Sequence, residues 1–250
     1  MFTLGAYYES IDPAGAWTEL AAVPDTHLTV SGDNILVPEL NQLLAYAMLV
    51  DQTVAAQGRL RSPSLVSDGF EEYIQPLESG LTFAALQAVI NRSRTPIALT
   101  PVEALQCHVN SNPAAAIGHY GLVWLGDGPV TPVTGRIRTI RATGAATLAA
   151  GTWVNTALTF PVSLKAGKYQ VVGLRVLGAN LVAARLFFPG TAWRPGAPAV
   201  NDEPDYGNDL FRNGNMGVWG EFAHSSPPTM DCLGVTDTAQ EVFLDVIFLG

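Results

Sequence analysis

Four histidines, His27, His108, His119 and His224, are the side chains best suited to proton transfer or metal ligation, and they are scattered along the chain. His108 and His119 meet only if their segments pair, and neither has carboxylates at a metal-ligand spacing, so structural histidines are expected. Glu71, Glu72 and Glu78 could line a surface. Glycoside hydrolysis needs two carboxylates roughly 5–9 Å apart across a cleft, and nothing in the sequence supplies that arrangement. No serine sits in G-x-S-x-G, Ser62-Pro63-Ser64 is too common a pattern to mark a nucleophile, and no phosphate-binding or dinucleotide glycine motif is present. Asp202, Glu203, Asp205, Asn208 and Asp209 carry enough oxygens for calcium. Their spacing is not that of an EF-hand and Pro204 interrupts it, so an acidic surface loop is the simpler reading. Cys107 and Cys232 are far apart, show no metal or redox spacing, and lie beside apolar residues, which predicts buried thiols whose pairing the sequence leaves open. These residues predict neither an enzyme nor a bound metal or organic cofactor.

Aromatic and arginine side chains offer a different kind of chemistry. The stretch from Thr191 to Thr229 is longer than an ordinary connector and rich in Gly, Pro, Asn and Asp. Trp193, Arg194, Tyr206, Phe211, Arg212, Trp219 and Phe222 are spaced through it, and Phe243 follows in the last apolar run. Such residues anchor protein interfaces. They predict an assembly contact; the alternative is a platform that stacks on sugars, as in a carbohydrate-binding β-sandwich.

The elements that must position these residues are mostly strands. Tyr169–Gly190 reads as two apolar arms around Gly178-Ala179-Asn180, a return of hairpin type, with a helix through Leu181–Phe188 as its rival. Arg136–Arg141, Thr152–Phe160 and Glu241–Leu249 are further strands; in the last, Val242, Leu244, Val246 and Phe248 share one side. Earlier, Met1–Tyr8, Ile35–Val37, Pro96–Leu99, Leu105–Val109 and Gly118–Leu125 read as strands, with a turn at Ser31–Asn34. One helix is predicted near residues 39–57, because Leu40, Leu43, Leu44, Ala47 and Met48 fall at helical spacing after Pro38. Leu81–Ile90 is a short helix or a strand. The fold class is mainly β, a β-sandwich, with an N-terminal β-rich unit over 1–130 and a C-terminal β-sandwich over 131–250. Pro129–Gly135 has the composition of a boundary. A loose match between Leu105–Gly128 and Val171–Gly190 favours two similar units.

Composition narrows the function classes. Asp, Glu, Lys and Arg make up 14% of the 250 residues, against roughly 25% in a usual soluble domain, while 48% are hydrophobic. That much apolar surface with so few charges points to burial between subunits, hence a homo-oligomer, trimer or higher. A net charge of −9 with Lys165 and Lys168 as the lysines weighs against a general grip on nucleic acid; Arg136, Arg138 and Arg141 form a local patch at most. No signal peptide and no apolar span of membrane length is read.

An acidic, lysine-poor, Gly- and Pro-rich β protein of this outline resembles the jelly-roll coat proteins of non-enveloped or internal-membrane viruses, especially small double-jelly-roll coats. The resemblance rests on architecture across nearly the whole chain. It implies two eight-stranded sandwiches per protomer, Phe2–Asp127 and Arg136–Leu249, three protomers to a pseudo-hexagonal capsomer, and a place in the virion with other virion proteins as partners. The helix expected near 39–57 departs from that pattern. A single jelly roll behind a mixed N-terminal region fits the same signals.

Overall fold

The computed structural model describes residues 1–52, 54–67, 72–78, 89–200 and 209–250, the segment 72–78 as strand backbone. These residues are mainly β, with antiparallel sheets and one short α-helix among them. The chain divides into two compact units, Gly5–Pro129 and Val130–Gly250, the latter including Met1–Leu4.

The N-terminal unit carries β1 (Phe2–Ile11, from Gly5 onward), β2 (Thr18–Ala22), β3 (Val30–Ser31), β4 (Asn34–Leu36), β5 (Gln42–Val50), β6 (Ala55–Arg61), β7 (Glu72–Glu78), β8 (Val89–Asn91), β9 (Ile97–Ala98), β10 (Ala104–Ser111) and β11 (Ile117–Gly126). Two ladders run through it, β1-β11-β5-β8 and β2-β10-β6-β7. They join at β2, whose residues Thr18–Leu20 pair with β10 while Ala21 and Ala22 pair with β1. The short hairpin β3–β4 turns at Gly32, where φ is +60°, and adds to the start of β10; β9 adds to the start of β5.

The C-terminal unit carries β12 (Arg138–Gly144), β13 (Val154–Ala157), β14 (Lys168–Leu177), β15 (Leu181–Phe187), β16 (Gly196–Pro198), β17 (Gly220–Ala223), β18 (Thr229–Gly234) and β19 (Gln240–Phe248). They form two four-stranded sheets, β12-β19-β14-β17 and β13-β18-β15-β16. If β3, β4 and β9 are set aside, each unit has eight strands among the described residues. Numbered in chain order within their unit, they pair as 1-8-3-6 and 2-7-4-5 in both halves of the chain, as two separate sheets in the C-terminal unit and as two runs joined through β2 in the N-terminal unit.

The helix expected near residues 39–57 is corrected: β5 and β6 occupy that stretch. Every residue from Leu43 to Val50 is at most 4% exposed, so the strand is buried on both faces. Such a strand is a continuous apolar run with no alternation to betray it. Leu, Ala, Met and Gln also favour helix locally, and sheet pairing with β11 overrides that preference. The helix that does form, α1 (Pro63–Ser67), begins where Ser62 Oγ accepts from the Leu65 N–H and Pro63 takes the first helical position.

The two arms of Tyr169–Gly190 are strands, β14 and β15, and the rival helix is absent. They do not pair with each other. β14 lies between β19 and β17, β15 between β18 and β16, so the link at Gly178–Asn180 is a corner from one sheet to the other. Asn180 takes φ +56° there, the left-handed region that asparagine tolerates. The segments matched in sequence as a repeat occupy different places: β10 and β11 are the seventh and eighth strands of their unit, β14 and β15 the third and fourth of theirs.

Candidate assembly surface

Of the residues that could anchor a partner, several are enclosed by their own unit. Phe211 is fully buried at the end of a 3-10 turn, Asp209–Phe211. Trp219, 5% exposed, meets the Phe2 ring edge-on with centroids 5.1 Å apart. Phe222, on β17, stacks on Tyr169 of β14 at 5.2 Å. Trp193, Arg194, Arg212 and Phe243 are half-buried and so reach the surface. Tyr206 lies outside the described residues, as do the acidic positions 202–205, Asn208, Glu71 and most of Leu81–Ile90.

The fate of the long excursion follows from three features of β14 and β19. Gly173, at a register shift of β14, leaves room that a Cβ would fill at 2.9 Å from the Arg212 Cα and 3.0 Å from the Phe211 carbonyl. Asp245, 3% exposed in the middle of β19, accepts from the Asn213 N–H at 2.9 Å and from the Thr139 hydroxyl at 2.7 Å. The Gly214 and Trp219 N–H groups donate to the carbonyls of Val172 and Val171. The excursion is thus fastened to its own sheet from residue 209 to 219. Beyond it, on the same strand, Phe243 lies under the Arg175 guanidinium at 4.7 Å, and Arg141 pairs with Glu241 in the open, both half exposed.

The other sheet holds a polar cluster that the reading of motifs missed. Arg185 of β15 is 1% exposed and Asp231 of β18 is 3% exposed, in register and joined Nε to Oδ2 at 3.0 Å. Arg194 donates to the same oxygen at 2.8 Å, and the Asn155 amide to Oδ1 at 2.7 Å. Arg185 also donates to the Leu4 carbonyl at 3.2 Å and lies over the Trp153 ring at 4.0 Å. Burial alone pushes the Asp231 carboxyl up. The positive charge of Arg185, the Asn155 amide and Arg194 together outweigh burial and hold it below the usual carboxylate range. The Leu4 N–H donates to the Arg194 carbonyl, so this cluster also ties down the first residues of the chain. A signal existed: a lone arginine inside an apolar strand, and a lone aspartate inside another, each demand a buried partner.

The histidines are separate. His119, on β11 and fully buried, shares a hydrogen bond of 2.9 Å between Nε2 and the Ser111 hydroxyl, while its Nδ1 is 3.0 Å from the Ile117 carbonyl. Burial lowers its pKa, so the imidazole is neutral near pH 7. His27 pairs with Asp25, and the Nδ1 of His224 accepts from the Gly167 N–H. Among the described residues no group of three or more His, Cys, Asp or Glu could hold a metal ion. Cys107 and Cys232 are free, buried thiols, one on the seventh strand of each unit. Burial pushes Cys107 up to about 12 and Cys232 higher still. No helix among the described residues is long and apolar enough to cross a membrane.

Of the three arginines read as a local patch, Arg136 and Arg138 line one groove, and Arg141 turns to Glu241.

No protein-family model matches the chain, and no curated protein does. Among solved structures it is similar to the major capsid protein P2 from bacteriophage PM2, at 11% identity, covering 100% of this chain and 98% of that one with a TM-score of 0.26.

Proposed function

We propose that this chain is a structural virion protein that forms a capsid by self-assembly, built from two jelly rolls and working without catalysis. The observation that carries the reading is the strand order 1-8-3-6 with 2-7-4-5, present in both units. Eight strands in two facing sheets joined by Greek-key crossings are what a jelly roll requires, and that architecture recurs in viral coats. A coat protein with two such sandwiches reaches sixfold packing with three copies, so the assembly unit is a trimer. Its contacts draw on Trp193, Arg194, Arg212 and Phe243, the candidate anchors that reach the surface, with Tyr206 as a further contributor. Low charge and exposed apolar residues such as Val162 (77%) and Val102 (71%) support burial between copies. A sugar-stacking platform gains no support from Trp219 and Phe222, whose rings are covered by Phe2 and Tyr169.

Light scattering on the purified chain at micromolar concentration tests this reading. Three times the 26.5 kDa chain mass, or a larger multiple, is expected. A monomer that persists across protein and salt concentrations contradicts it. Trp193→Asp should release monomers with an unchanged circular dichroism spectrum, because Trp193 is half-buried at the surface and not part of the buried core.

A further inference from the structure

We infer that the C-terminal unit carries a binding site for an amphiphilic anion, a phosphate or carboxylate head on an apolar body, in the groove rimmed by Arg136, Arg138 and Lys165. This inference stands apart from the coat reading. The groove has a volume of about 390 Å³, within the range of small-molecule sites. Among the described residues that line it, the charged ones are all cationic, Arg136, Arg138 and Lys165, in a chain whose net charge is −9. Arg136 and Arg138 are exposed and make no ion pair among the described residues. The walls are apolar: Tyr169 and Phe248 meet edge-on at 5.2 Å, and Ile247 lies beside them.

The rim is positioned from below. The Tyr169 hydroxyl donates to the Lys165 carbonyl at 2.8 Å, which fixes the turn that carries this lysine. Lys165 Nζ then stands 4.5 Å over the Phe248 ring. Gly167, at φ +142°, lets that turn close, since a Cβ there would come 2.7 Å from the Phe248 ring. Cations at the mouth with aromatic and aliphatic walls inside divide the ligand's chemistry. An inorganic anion would satisfy the rim and leave the walls wet; a neutral apolar molecule would fill the walls and leave the cations unused. A ligand with both parts uses both. A guanidinium pair favours the planar or tetrahedral oxygens of carboxylate and phosphate.

Calorimetric titration of the intact protein with octyl phosphate below its micelle concentration, with inorganic phosphate and with octanol tests the site. We expect saturable binding of octyl phosphate, at least tenfold tighter than either inorganic phosphate or octanol and weakened by added salt. The double variant Arg136→Gln, Arg138→Gln should lose at least tenfold, and because both residues are exposed its thermal melt should match the parent. Absence of saturable binding, equal binding of octanol, or unchanged affinity in the double variant would overturn the inference. So would a variant that changes the mass of the assembly while the parent takes up no octyl phosphate, because the groove would then be a seat for a second copy of the chain.

Discussion

The two units repeat one strand order and fill it differently. In the N-terminal unit the third strand, β5, is apolar and buried on both faces, and the fully buried polar pair is the neutral Ser111–His119. In the C-terminal unit the third strand, β14, alternates toward its end, with Arg175 half-buried, and the buried polar groups include an ion cluster, Arg185–Asp231–Arg194, beside the hydrogen-bonded Asp245 carboxylate. Topology is therefore indifferent to how the interior is stabilised. One unit depends on area removed from water; the other adds charges that must remain paired.

That difference can be broken from either side. Asp231→Ala should have the largest effect, about 3–5 kcal/mol, because Arg185 is left charged and buried. It is read as loss of the C-terminal transition in urea unfolding. Leu43→Ala should cost the N-terminal unit about 2–5 kcal/mol through the cavity it leaves, with no dependence on salt. Equal salt sensitivity in the two variants would erase the distinction.

Acid should separate the units as well. The lowered pKa of His119 means that its contribution is complete above about pH 6.5, the unfolded value, and is lost as pH falls below it. The Asp231 carboxyl is also lowered, but from a carboxylate's range, so its contribution holds down to about pH 4 and fades beneath. The N-terminal unit should weaken first on acidification, and His119→Gln should flatten its profile below about pH 6.5.

Two smaller changes sharpen the picture. Val102 is a β-branched residue at φ +68° and 71% exposed, a conformation that costs of order 1 kcal/mol or more. Val102→Gly should raise the melting temperature of the N-terminal unit slightly, provided the strain exceeds the entropy glycine adds to the unfolded chain. Arg141→Gln removes an ion pair exposed by half on both sides and should cost under about 1 kcal/mol, with the deficit vanishing in high salt.

Much of this was legible in the sequence and some was not, for physical reasons. Strands whose two faces differ announce themselves by alternation, as in β19, where Val242, Leu244 and Val246 are core while Glu241 is exposed and Phe243 and Ile247 are half-buried. β5 has no solvated face, so its apolar run carries no period and its residues favour helix in isolation. Pairing partners are set by neighbours distant in sequence, which is why β14 and β15 read as a hairpin although each belongs to another sheet. The assembly anchors divide by the same logic: the aromatic types were visible, but the cover that Phe2 gives Trp219 and Tyr169 gives Phe222 depends on tertiary contact. Arg185, Asp231 and Asp245 were visible as charges inside apolar strands, the strongest unused signal in the chain.

Electron cryo-microscopy of the purified protein addresses assembly and duplication together. A coat protein with two jelly rolls gives particles of three copies with six sandwich-sized lobes around a central axis. Uniform single-copy particles at micromolar concentration, or an oligomer with no sixfold arrangement of sandwiches, would contradict that reading.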